Sequence, residues 1–191
     1  MSKSGKGTAF ERGFCRRLSL WWTQDLPEPR DDVFWRTSNS GGRATTRDKQ
    51  GKTTRNQHGD VGANDPIGQP LIDLICWELK RGYNAHTLQD LLDRPAKGAK
   101  PKYLEWIEKA ERTRKASGAR YWALVVRRDR REPLFVCSYS LFDVFPFVRV
   151  DGLVSVEMKL FDHWYFLPLE SLFESDPSTV KELCNGNHAH D

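Results

Sequence analysis

Apolar positions along the chain switch between a helical period and a strand period. Phe10, Phe14, Leu18 and Trp21 recur at helical spacing, with Cys15 and Trp22 widening the stripe, which predicts a helix over 8–22. Thr8 and Glu11 match a capping box at its start, and Pro27-Glu28-Pro29 ends it. Val33 to Thr37 predicts a short strand that runs into a turn-rich Ser/Gly loop, Ser38 to Arg43. Residues 44–58 are polar and basic without periodicity, which predicts a long loop. Gly59 to Ala63 predicts a second strand, turning through Asn64 to Gly68.

Leu71 to Lys80 gives the strongest strand signal. Ile72, Leu74 and Cys76 fall on one face, and Leu71, Ile75 and Trp77 on the other. A strand apolar on both faces is expected at the centre of a sheet. A short helix over 87–94 follows, then a longer one from Pro101 to Ser117 with Tyr103, Trp106, Ile107 and Ala110 as its stripe and Gly118 as C-terminal cap. Arg120–Arg127 and Leu134–Ser138 predict two strands joined by a charged turn. Beyond Ser140 the pattern mixes strand-like aromatic runs, 154–159 and 163–167, with a terminal helix near 177–183. The expected fold class is α/β: helix, three-stranded meander, helix, strand, with helices flanking a mixed sheet. Residues 1–139 are expected to form this core, and 140–191 an acidic C-terminal extension packed on it.

Composition permits a packed core: 38% of the 191 residues are hydrophobic and 29% charged, with seven Trp and ten Phe. No run approaches the roughly 18–20 apolar residues needed to span a bilayer, and the basic N-terminus lacks an apolar signal core. Cys15, Cys76, Cys137 and Cys184 have neither zinc spacing nor a disulfide framework, so they read as small hydrophobes of a reducing, cytoplasmic compartment (the host cytoplasm if phage-encoded).

The net charge of +4 hides an asymmetry. Residues 1–58 carry a net +6, 59–93 a net −4, 94–131 a net +9 and 132–191 a net −7. An acidic island between basic blocks suits a cation-dependent enzyme acting on a polyanion such as DNA. Solvated helix faces would give the same basic blocks.

The acidic island holds the candidate chemistry. Glu78 and Lys80 lie two apart on one strand, so they project from the same face. Asp60 opens the neighbouring predicted strand, and a hairpin return would bring it to Glu78. Two carboxylates suit Mg²⁺, with Mn²⁺ able to substitute, and Lys80 would orient water or stabilise charge at phosphorus. A plain Glu78–Lys80 ion pair is the competing explanation. Asp73 lies on the parity opposite Glu78 and is expected to face away. Ser38, Ser40 and Arg43 are candidates for phosphate contact, as are Arg81, Arg127 and Arg128, where a surface loop or salt bridges would serve equally. Glu11 is either a further acid of the site or simply the partner of Thr8 in the cap.

His58-Gly59-Asp60-Val61 followed by Leu74-Ile75-Cys76-Trp77-Glu78-Leu79-Lys80-Arg81 resembles the bipartite motif of the PD-(D/E)XK nuclease superfamily. The predicted element order is similar to that superfamily's core, over roughly residues 8 to 138. Within it the resemblance is to archaeal-type Holliday-junction resolvases and small phage endonucleases, whose first-helix glutamate and Ser/Gly loop match Glu11 and Ser38 to Gly42. The resemblance implies that Asp60, Glu78 and the Leu79 carbonyl hold the metal, with Lys80 catalytic. The chain departs from the pattern in lacking Pro before Asp60, in the insert at 44–58 and in the tail after Ser140. The expected activity is Mg²⁺-dependent endonucleolytic hydrolysis of DNA, with a homodimer if junctions are the substrate. The alternative is a catalytically silent DNA-binding module in a recombination or packaging assembly.

Overall fold

The computed structural model describes residues 3–37, 58–93, 98, 100–147, 154–158 and 161–186. Helix α1, Lys3–Trp22, leads to β1, Phe34–Arg36, which pairs antiparallel with β2, Val61–Ala63, as a separate two-stranded sheet. A 3₁₀ turn, Pro66–Gly68, feeds α2, Gln69–Leu74, and the chain then extends directly into β3, Ile75–Arg81. After α3, Gln89–Leu92, and α4, Lys102–Ser117, the chain returns as β4, Tyr121–Arg127, parallel to β3. Strand β5, Leu134–Ser138, helix α5, Tyr139–Val144, and strands β6, Val154–Met158, and β7, Phe161–Pro168, follow. Helices α6, Glu170–Phe173, and α7, Pro177–Asn185, close the described chain. The main sheet is mixed, in the order β3-β4-β5-β7-β6.

Three expectations are corrected. Helix α1 begins before Thr8, so Thr8 is an interior residue and the capping box does not form. The first half of the predicted strand 71–80 is helical. Pro70 lies in the first turn of α2, where its missing N–H costs nothing, and Leu71 and Leu74 are buried at helical spacing. The three-stranded meander is therefore interrupted by α2. Strand β3 is also an edge of the main sheet, not its centre. Its two apolar faces reflect cover from both sides. Ile75, Trp77 and Leu79 pack with Phe14, Leu18 and Trp22 of α1, while its other face turns toward α4.

The sheet divides the core in two. On the α4 side, Tyr103, Trp106 and Ile107 pack with Trp122, Leu124, Val126, Val136, Trp164 and Phe166. The left-handed Gly118, φ 78°, caps α4 as its sequence predicts. On the α1 side, Leu167, Leu172, Val180 and Leu183 from beyond Ser140 join the same cluster as Trp22 and Trp77. The free thiols of Cys15, Cys76 and Cys137 are buried, and Cys184 is half-buried. Among the described residues no helix is long and apolar enough to cross a membrane.

Strand β1 is anchored by one hydroxyl. Ser19 Oγ, on the buried face of α1, donates to the Cys15 carbonyl and accepts from the Phe34 amide, both at 2.8 Å. Ser19→Ala leaves that buried amide without a partner and should destabilise the fold by about 1–3 kcal/mol. Urea denaturation measures this, and an unchanged midpoint would show that β1 does not depend on the contact.

Candidate active site

Asp60 is placed by its backbone before its side chain contributes anything. Gly59 adopts φ 78°, and a Cβ there would stand 2.7 Å from the Trp77 carbonyl oxygen. Glycine at this position lets the backbone lie against β3. The Asp60 amide then donates to the Trp77 carbonyl at 2.7 Å, tying β2 to β3 without any hairpin between them. From the other side Thr37 donates through its hydroxyl to Gly59 O at 2.7 Å and through its amide to Asp60 O at 3.1 Å. The Asp60 carboxylate is buried and its Oδ2 accepts the Leu79 amide at 2.7 Å.

Glu78 and Lys80 project from the α4 face of β3, as their spacing predicts. Lys80 Nζ donates to Glu78 Oε1 and, at 3.1 Å, to the Leu79 carbonyl, and it stands 3.8 Å from Asp60 Oδ2. Three oxygens thus surround one ammonium. A second ammonium, Lys109 Nζ from α4, donates to the same Glu78 Oε1. Lys109 escaped the sequence reading because 31 residues separate it from Glu78. The available signal was its position on the border of the Trp106–Ala110 stripe, the face of α4 that turns to the sheet.

Burial sets the electrostatics. Glu78 is 2% exposed and Asp60 4%. Desolvation, reinforced by the charge of Glu78, raises the Asp60 carboxyl above its ordinary value despite Lys80 and the Leu79 amide. For Lys80, burial favours the neutral form, but the negative charges of Glu78 and Asp60 outweigh it and hold the ammonium above its ordinary value.

Among the described residues no group of three or more His, Cys, Asp or Glu is placed to hold a metal. Two carboxylates and a carbonyl around one cationic centre are nonetheless an all-oxygen set suited to Mg²⁺, which takes its remaining ligands from water and substrate. The Lys80 ammonium marks the point on which those oxygens converge, so the residues present fit the ion.

The other predicted residues divide. Glu11 lies at the Asp60 side of α1 and faces Arg36, whose Nε is 3.1 Å away without hydrogen-bond alignment. The thiol of Cys15 lies close enough to feel both acids. Burial, then the charges of Glu11 and Asp60, pushes it up to about 12. Asp73 sits on the exposed side of α2, where Gln69 donates to it at 2.7 Å. Arg81 pairs with Asp129 at 2.7 Å and donates to the Arg128 carbonyl at 3.3 Å. Arg127 lies opposite Arg81 in the β3–β4 register, so the β4–β5 turn with Arg128 stands at the same sheet end as Lys80. Ser38, Ser40 and Arg43 lie outside the described residues.

Residues 2–151 match the family described as "Phage putative PDDEXK endonuclease". No curated protein and no solved structure matches the chain.

Gly59→Ala forces a left-handed backbone on an L-residue and a Cβ against Trp77 O. A loss of about 2–4 kcal/mol in chemical denaturation is expected, and a stability equal to wild type would show that the Asp60–Trp77 contact tolerates movement. The charge of Asp60 makes a separate prediction. Its raised folded pKa means that the native state favours the proton, so its contribution is present in acid and lost as pH rises through the folded value. Asp60→Asn should therefore be more stable than wild type at neutral pH, by about 1 kcal/mol, with the advantage gone below pH of about 4. Denaturation curves at the two pH values check this, and a less stable variant at neutral pH contradicts it.

Proposed function

The chain belongs to this family of phage PDDEXK endonucleases, and from that premise we propose that it is a magnesium-dependent endonuclease hydrolysing phosphodiester bonds in DNA. The observation that carries the proposal is the convergence of Asp60 Oδ2, Glu78 Oε1 and Leu79 O on a single cationic centre in a buried site. Gathering two desolvated carboxylates around one point is costly. A cation-binding site uses both directly.

In this reading Asp60, Glu78 and the Leu79 carbonyl hold Mg²⁺, with Mn²⁺ able to substitute. When bound, the ion supplies the Lewis-acid charge that phosphodiester hydrolysis requires. The chain's own residues do the rest. The Leu79 amide fixes the Asp60 carboxylate, so that its oxygen is aimed before substrate arrives. Lys80, held protonated by the two carboxylates, donates hydrogen bonds toward the reacting phosphate and stabilises charge that develops there. Arg81 stiffens the sheet end through Asp129, and Arg127 and Arg128 lie where flanking phosphates would meet positive charge. Mutating either of the latter two would lower binding and flatten its salt dependence. Glu11, paired with Arg36, supports the Asp60 side of the site.

Junction selectivity and a homodimer follow from the resolvase resemblance and belong to the same proposal. The test is a panel of linear, nicked, branched and single-stranded DNAs with Mg²⁺. Wild type should cut at least one of them. Asp60→Asn and Lys80→Ala should each lower the rate by roughly 10²–10⁴-fold with unchanged circular dichroism. Cutting by both variants at the wild-type rate defeats the assignment. DNA binding without any cutting by the wild type gives the role to a silent binding module instead.

A further inference from the structure

We infer that Lys109 is an internal competitor for the metal ligand Glu78: it neutralises Glu78 in the ion-free site, and its displacement frees an ammonium for the substrate phosphate. The inference rests on the proposed metal-dependent reading and concerns a residue that the motif does not contain.

The charges motivate it. Asp60 and Glu78 bring two negative charges, and Lys80 and Lys109 bring two positive ones, so the cluster is neutral as it stands. Both ammonium groups donate to one atom, Glu78 Oε1. Like charges that share an oxygen already repel, and a divalent ion at that oxygen adds a third cation to the same point. Lys80 must then turn from the point it holds, and Lys109 must give up Glu78 Oε1.

The two lysines are not equivalent. Lys80 extends from β3 and is 15% exposed; its contacts with the Leu79 carbonyl and Asp60 are those the ion takes, so it turns from them toward the phosphate while staying in the site. Lys109 is 39% exposed at the surface of α4, with a long side chain that can reach water. The cost of releasing it is small, because a half-exposed ammonium regains hydration on leaving. Its release leaves Glu78 free for the ion and puts a mobile positive charge beside the site, in the basic block where DNA is expected to lie. The contact also gives a glutamate that is 2% exposed a hydrogen-bond partner that orients it before any ion binds.

The test separates this inference from the reading on which it stands. Isothermal titration of the DNA-free protein with MgCl₂ compares wild type, Lys109→Ala, Lys109→Arg and Asp60→Asn. Wild type should take up Mg²⁺, and Asp60→Asn should lose that uptake. Lys109→Ala should bind Mg²⁺ roughly five- to tenfold more tightly, because the competing cation is gone, and Lys109→Arg should stay near wild type. Steady-state cutting should show a matching split in Lys109→Ala: half-saturation at lower Mg²⁺ and a kcat reduced about tenfold. Weaker or equal Mg²⁺ binding by Lys109→Ala overturns the competition. Tighter binding with unchanged kcat overturns the phosphate role. Mg²⁺ uptake that is absent in wild type, or unaffected by Asp60→Asn, overturns the metal-dependent reading itself and this inference with it. A merely structural Lys109 would lower stability and could not tighten the ion.

Discussion

A backbone hydrogen bond from the Asp60 amide to the Trp77 carbonyl, at 2.7 Å, joins the small β1–β2 sheet to the edge of the main one. Asp60 and Glu78 belong to different sheets, and an error of an ångström at this seam would separate their carboxylates. The chain secures the seam from several directions. Gly59 removes the Cβ that would block it, and Thr37 bonds both Gly59 and Asp60 from the β1 side. The Leu79 amide takes the carboxylate itself. Trp77, whose carbonyl receives the bond, is fully buried and fixed by Phe14 and Phe135 rings at 5.4 and 6.2 Å. The aromatic core beneath the strand thus sets the precision of the site above it.

Much of this was legible in the sequence because the relevant information is local. Glu78 and Lys80 share a face through strand parity alone, and Pro101, the 103–110 stripe and Gly118 delimit α4 without help from the rest of the fold. The misreadings have physical causes. Leu71, Ile72, Leu74 and Ile75 satisfy a strand and a short helix equally well, and over six residues the two periods do not separate; Pro70 in the first turn tips the balance to helix. Apolar faces on β3 reported burial from both sides, which α1 and α4 supply even to an edge strand. Thr8 and Glu11 had the spacing of a cap, but their spacing says nothing about whether helix continues upstream. Lys109 was invisible because its contact spans two elements and 31 residues. Side-chain pairs of that range depend on how α4 lies on the sheet, which no local pattern encodes.

The acidic last third looks unsuited to a chain that meets DNA, and the structure accounts for part of that charge within the molecule. Glu170 makes a bidentate pair with Arg17 of α1, whose guanidinium also stacks over Phe173 at 3.9 Å. Asp176 caps α7 through the Ser178 amide at 3.1 Å, and Lys181 of that helix returns to Asp25 at 2.7 Å. These contacts, with the Trp21 indole donating to Ser175 O at 2.9 Å, fasten the C-terminal helices to the face of α1. Glu170 thus serves to join the C-terminal helices to α1, and Asp176 serves its own helix. The basic β4–β5 turn lies at the sheet end occupied by Lys80, and its Pro133 carbonyl accepts the Leu169 amide at 3.0 Å just ahead of α6.

A buried pair of carboxylates poses a folding problem before it offers a chemical opportunity. Small metal domains often solve it by remaining unfolded until the ion arrives, so that ion affinity becomes folding energy. Here Lys80 occupies the centre of the oxygen set and Lys109 meets Glu78 from α4, so the two carboxylates are matched by two ammonium groups of the chain itself. The consequence is a division of labour between the lysines. An ammonium cannot supply divalent charge at phosphorus, yet it can hold the oxygens at the spacing a cation requires. In the proposed metal-dependent reaction, preorganisation of this kind would move the cost of gathering like charges from the binding step into folding, where the aromatic core can offset it. The raised affinity of Asp60 for a proton is the trace of that cost left in the folded protein. A site whose acids were relaxed in isolation would have little left to gain from an ion.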